Sequence, residues 1–208
     1  MTTQGLNHRL MKSFEAIVGD YNQRFRENAI CEMRFYEKQP NLEEVVKLAG
    51  RAIVCGRKHR HQWHLTNEAL NRATRALLSR RGEFERCKKD FDDLLTLVEA
   101  ATLHVKGVNE MYWYDTALRI GAFLGTAPER VYLHRGTREG AVALGFEGTR
   151  TSLAMSDLPS AFASLTAREA EDCLCIYKTD LRNLARGVPL GNLAKTKGCV
   201  YGQPKRGC

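Results

Sequence analysis

Apolar residues recur at three- and four-residue intervals along almost the whole chain, the period of a helix that buries one face. Leu10, Phe14, Ile17 and Val18 mark one stripe within residues 6–19, and Phe25, Ile30 and Phe35 another within 21–36. Pro40 closes this region, and Asn41 is placed to cap a helix through "LEEVVKLAGRAIV", whose first turn carries acids that complement a helix amino end. Thr66 caps a helix reaching about Arg81, Gly82 breaks it, and Asp90 opens "FDDLLTLVEAATLHV". A helix over 110–124 is stopped by Gly125 and Pro128. A short helix near 128–133 leads to His134, and Thr137 begins another that ends at Gly145. After an irregular piece at 145–158, Thr166 and Glu169 form a capping box for a last helix that ends at Gly187.

No stretch sustains period-two alternation, so strands should be few. Residues 50–66, around Ile53-Val54 and Trp63-Leu65, are the one place for a short hairpin. There is no internal repeat and no low-complexity tract. The pattern therefore predicts an all-α fold of about eight or nine helices with little or no β structure. It forms a single helical domain over 1–187, with 1–50 as the candidate for an N-terminal subdomain and 188–208 as a flexible basic tail.

Composition fits a folded chain: 43% of the 208 residues are hydrophobic and 27% charged. No apolar run approaches the roughly 20 residues of a membrane helix. The first twenty residues lack the apolar core of a secretory signal. Seven cysteines, an odd number without the spacing of a small secreted framework, fit a reducing compartment. The expectation is a cytoplasmic protein with no membrane partner. Cys173 and Cys175, two apart on a helix, point to different faces, and Cys199 and Cys208 fall in the tail.

Charge sharpens the picture. Residues 51–89 hold eleven Lys and Arg against three acids, a surplus equal to the +8 of the whole chain. Positive charge so concentrated points to a polyanionic partner, nucleic acid above all. "CGRKHRHQWH", residues 55–64, gathers Arg57, Lys58 and Arg60 with His59, His61 and His64. It reads as a basic binding loop, with RNA cleavage by a histidine acid and base as an alternative. Cys55 with the three histidines has the donor count of a closed zinc site, but the spacing is not that of a finger, so neither a metal nor a cofactor is expected. A second anion-ready feature lies at 134–138. There the amino end of a helix behind Gly136-Thr137 brings backbone donors next to Arg135 and Arg138, unless these pair with Glu129 and Glu139.

"LHVKGVNEMYWYDTALRIGAFLG", residues 103–125, resembles a helix-hairpin-helix motif, the phosphate-gripping element of a superfamily that includes DNA glycosylases. Gly107 and Val108 match the apolar-Gly turn, and Asn109 stands where a second glycine belongs. The similarity extends through "VYLHRGTREGAVALG" and covers about residues 100–145. The resemblance implies duplex DNA held by its backbone, with Lys106, Gly107 and Asn109 at a phosphate. Where family members that cleave carry a lysine this chain has Glu110, Met111 and Tyr112, and His134 falls near the family's aspartate. Any chemistry would therefore pass to Asp115, His134 and Tyr112. Three consecutive aromatics, Tyr112, Trp113 and Tyr114, cannot all face the core of one helix, and Asp115 is spaced to pair with Arg119.

The sequence thus supports a nucleic-acid-binding protein, DNA more than RNA, that meets the backbone with a basic face and helix amino ends. The nucleic-acid contacts expected are Arg57, Lys58, His59, Arg60, His61, Lys106, Gly107, Asn109, Arg135 and Arg138. The alternatives are a diverged glycosylase-like DNA-repair enzyme, a nuclease, and a module that uses the basic face to meet an acidic protein.

Overall fold

A computed structural model describes residues 3–190 and 193, with side chains from Leu10 onward. Cys199, Cys208 and most of the basic tail lie outside the described residues. The fold is all-α: among the described residues 66% is helical, in ten helices, with two very small antiparallel sheets. No helix among the described residues is long and apolar enough to cross a membrane. The described residues form two compact units, one of residues 28–128 and one of residues 3–27 with 129–190.

The unit that joins both ends of the described chain holds α1 (Thr3–Arg24), β3 (Arg130–Tyr132), β4 (Ser152–Ala154), α8 (Arg135–Ala143), α9 (Ala167–Ile176) and α10 (Lys178–Ala185), with α1 packed on α9. The strand at 130–132 replaces the short helix expected at 128–133. Val131 pairs with Leu153 across a two-stranded ladder, and both are fully buried. Such a pair joins segments some twenty residues apart and leaves no local periodicity. The next helix starts at Arg135 behind His134, two residues before the expected Thr137.

The core is built on Ile17, Tyr21, Phe25, Val131, Phe162, Leu174 and Tyr177. α9 is buried almost all round and carries three buried acids, so each needs a partner. Glu169 closes the capping box with Thr166 and takes Arg26 at 2.6 Å. Asp172 accepts the Tyr21 hydroxyl at 2.9 Å, and Glu171 meets His134 at 2.7 Å. α8 lies so close that a Cβ at Gly140 would stand 2.2 Å from the Leu174 carbonyl oxygen.

The other unit holds α2 (Arg26–Glu37) from Asn28 onward, α3 (Leu42–Gly50), the hairpin β1 (Ile53–Val54) and β2 (Arg57–Lys58), and a 3-10 turn at Arg60–Gln62. It continues through α4 (Asn67–Ser79), α5 (Arg81–Phe84), α6 (Phe91–Thr102) and α7 (Glu110–Leu124). The expected caps form: Asn41, Thr66 and Asp90 each accept a main-chain N–H of the helix they precede. The hairpin falls inside 50–66, but its second strand is 57–58 and not 63–65. α3 therefore ends at Gly50 and does not run on through Val54. α7 packs on α3 and α6, with Leu65, Leu70, Ala73, Val105 and Tyr112 in a shared apolar cluster.

Gly140→Ala forces backbone against backbone and should destabilise by about 3 kcal/mol or abolish folding, the upper range for overpacking. Gly82→Ala, where a Cβ meets nothing within 4 Å, should leave stability unchanged or slightly raised. Urea denaturation followed by circular dichroism compares the two.

Candidate functional site

Side chains from three separate segments converge beneath the 57–64 loop. α2 buries Ala29, Glu32 and Tyr36, a stripe at helical spacing with an acid in its middle. α7 brings Tyr112, Asp115 and Arg119 to one face by the same spacing. Between them lies the 3-10 turn, in which residues three apart eclipse. His59 and Gln62 thus form one inward row, while Arg60 and Trp63 form an outward one.

Arg119 is the centre, 1% exposed at its side chain. Its Nε donates to Glu32 Oε1 at 3.4 Å, and Nη2 donates to Gln62 Oε1 at 3.2 Å while standing 3.7 Å from Asp115 Oδ2. Gln62 must then turn its amide nitrogen the other way, and it donates to Asp115 Oδ2 at 2.6 Å. His61 Nδ1 meets that same carboxylate oxygen at 3.1 Å. His59 Nε2 lies 3.3 Å from Glu32 Oε2, and its Nδ1 accepts the His61 main-chain N–H at 3.3 Å. The second contact requires a lone pair on Nδ1 and so places the proton on Nε2, facing Glu32. The two imidazoles stand edge to face, centroids 4.7 Å apart. The cluster is buried except on one side: the His61 side chain keeps 22% exposure, against 11% for Asp115 and 8% for Glu32.

Burial pushes both carboxyls up, and the facing imidazoles and guanidinium more than reverse it. His59 and then Arg119 bring Glu32 down from its ordinary 4.5 to about 2. His61, Arg119 and His59 hold Asp115 well below the carboxylate range. Burial lowers Arg119, but Tyr36, Asp115 and Glu32 outweigh it and hold the guanidinium firmly charged.

The loop itself is held by its main chain. His59 N–H donates to Ala52 O at 2.6 Å, and the buried Tyr36 hydroxyl donates to Ile53 O at 2.8 Å. Ala52 and Cys55 have positive φ, 55° and 47°, which costs a non-glycine residue roughly 1–2 kcal/mol each. Cys55 is disulfide-bonded and so is no thiolate donor.

On the outer face, Arg57 and Arg60 are exposed and Lys58 is half-buried, its Nζ donating to Leu65 O. Trp63 is 67% exposed, its Nε1 donating to Lys58 O at 3.3 Å, with the Arg60 guanidinium 5.8 Å from the ring. Beside the hairpin, Arg51, Ile53, Lys58, Asn67, Leu70 and Asn71 line a cleft of about 300 Å3.

The remaining candidates lie elsewhere. The Tyr112 hydroxyl donates to Gly50 O at 2.8 Å, a buried tie between α7 and α3. Tyr114 is buried too, and of the three aromatics Trp113 alone keeps part of its surface. Gly107 has φ +99°, as a hairpin turn requires, and Lys106 beside it is exposed. Asn109, at the position of the motif's second glycine, does not adopt a glycine's backbone. Its φ is −152°, extended rather than left-handed, and its Oδ1 caps α7 by accepting Tyr112 N–H. His134, in the other unit, is 4% exposed and paired with Glu171. Arg135 is exposed and Arg138 half-buried, while Glu139 is taken by Lys178 and Arg182. Glu32 and Gln62 were not among the expected residues. The acid centred on the Ala29–Tyr36 stripe was the available sign.

No protein-family model, curated protein or solved structure matches this chain.

Arg119→Met strands two buried carboxylates and should cost about 3–5 kcal/mol in urea denaturation. The acid side of the pH profile follows from Glu32. Its folded pKa lies below the unfolded value, so its stabilisation is complete above about 4.5 and is lost as pH falls toward 2. Chemical denaturation at several acidic pH values should show that loss in the native protein and a smaller one in Glu32→Gln.

Proposed function

We propose that this protein binds nucleic acid with the 57–64 face, unpaired bases stacking on Trp63 and phosphates meeting Arg57, Lys58 and Arg60. The reading is carried by Trp63: an indole 67% exposed yet fixed by a hydrogen bond, with a guanidinium beside it. A large aromatic held at the surface among cations is the combination that binds single strands, where stacking contributes about 1–3 kcal/mol per base. Further support comes from the surrounding charge. Arg51, Arg72 and Arg75 are exposed as well, and the cleft lined by Arg51, Lys58, Asn67 and Asn71 offers donors to a phosphate.

The sequence favoured duplex DNA because of the helix-hairpin-helix resemblance. Asn109 now spends its side chain on an N–H of α7 that a phosphate would otherwise use, which shifts the reading toward an unpaired strand. A nucleic-acid hydrolase is the second reading, favoured by the convergence of His59, His61 and Asp115 under this face. In this reading Tyr112 donates to Gly50 O and His134 meets Glu171, so the chemistry would fall to His59, His61 and Asp115.

Fluorescence anisotropy with a labelled single-stranded oligonucleotide should show binding that weakens steeply with salt. Trp63→Ala should weaken it about tenfold or more without moving the melting temperature. Replacing Arg57, Lys58 and Arg60 together by alanine should reduce the log–log salt slope by about 2, at roughly 0.7 per phosphate contact. Absence of binding at low salt, or full affinity in Trp63→Ala, would refute the reading.

A further inference from the structure

We infer that His59, His61 and Asp115 form a binding site for a divalent transition-metal ion of the zinc or ferrous class, independent of nucleic-acid binding. One donor atom from each of the three lies within 4.8 Å of the other two. A tetrahedral ion with bonds of roughly 2.0–2.1 Å sets its donors about 3.3 Å apart. His61 Nδ1 and Asp115 Oδ2 are already at 3.1 Å, so that edge of the polyhedron exists without movement.

The surroundings are those of a metal site. An imidazole that binds a metal through one nitrogen characteristically gives its other N–H to a carboxylate, which fixes the ring and raises its basicity. His59 Nε2 faces Glu32 Oε2 at 3.3 Å in this way, and Nδ1, whose lone pair accepts the His61 main-chain N–H at 3.3 Å, is the donor the ion would take over from that contact. Asp115 is likewise oriented by Gln62 at 2.6 Å, and Gln62 by Arg119 at 3.2 Å. Charge agrees: two buried carboxylates face one guanidinium, and the remaining negative charge calls for a cation. Two imidazoles and one carboxylate suit zinc, iron or cobalt rather than magnesium or calcium, which prefer oxygen alone. Partial exposure of His61 gives the ion a way in and leaves room for water or a substrate oxygen in an open position.

The test uses the full chain, stripped of metal by chelation and titrated with Zn2+ by calorimetry and with Co2+ by visible absorption. One equivalent should bind, with the Co2+ bands of a low-coordinate site and a raised melting temperature. His61→Ala, at the exposed side of the cluster, should abolish binding while its metal-free form melts as a folded protein. Glu32→Gln should weaken binding about 10- to 100-fold. His64→Ala, at an exposed histidine outside the cluster, should bind as the native protein does. Failure to bind a stoichiometric ion overturns the inference, and so does undiminished binding in His61→Ala. Neither result touches the oligonucleotide titration, which is read in chelator.

Discussion

A buried guanidinium dictates the arrangement of the 28–128 unit. Arg119 sits in the middle of α7 at 1% exposure, where an isolated charge would be prohibitively costly. It is tolerated because three partners arrive from elsewhere: Glu32 from α2, Gln62 from the 3-10 turn and Asp115 one turn back on its own helix. Each partner in turn needs a second contact. Asp115 takes Gln62 and His61, and Glu32 takes His59. The polar 59–62 segment is therefore held against the helices by charge and hydrogen bonding rather than by apolar burial. The unfavourable backbone at Ala52 and Cys55 is sustained by the same network, through the ties of His59 to Ala52 and Tyr36 to Ile53.

The other unit solves a similar problem differently. Its buried acids lie together on α9, but each has a partner of its own and shares none: Glu169 has its cap and Arg26, Asp172 has Tyr21, Glu171 has His134. The close approach of α8 at Gly140 keeps this helix pair tight. His134 is 4% exposed and His61 is 22% exposed, so the two histidine–carboxylate pairs differ in kind. One is sealed, while the other has access to solvent.

What the sequence disclosed follows the range of the interactions. Asn41, Thr66, Asp90 and Thr166 were legible because a cap is settled within four residues. The strand at 130–132 was not, since Val131 finds its partner at Leu153. The hairpin was placed but mispaired, because the turn at Cys55-Gly56 needs positive φ at a non-glycine residue that no propensity announces. In the site, Asp115 with Arg119 was readable from spacing alone. Joining them to the histidines, some 54 residues away, required the fold. Glu32 had a faint local signature, an acid on an apolar stripe, and Gln62 had none.

The 3-10 turn joins the two halves of the functional argument. With three residues per turn, His59 and Gln62 share a row facing Glu32, Arg119 and Asp115, while Arg60 and Trp63 share a row facing solvent. The spacing H-R-H-Q-W thus does two things at once: it satisfies the buried carboxylates and presents an indole with a guanidinium outside. Because the outward row rests on the same five residues of backbone as the inward one, a change in the charge of the cluster must be felt at Trp63. Indole fluorescence is accordingly the natural reporter of any change in the cluster beneath it.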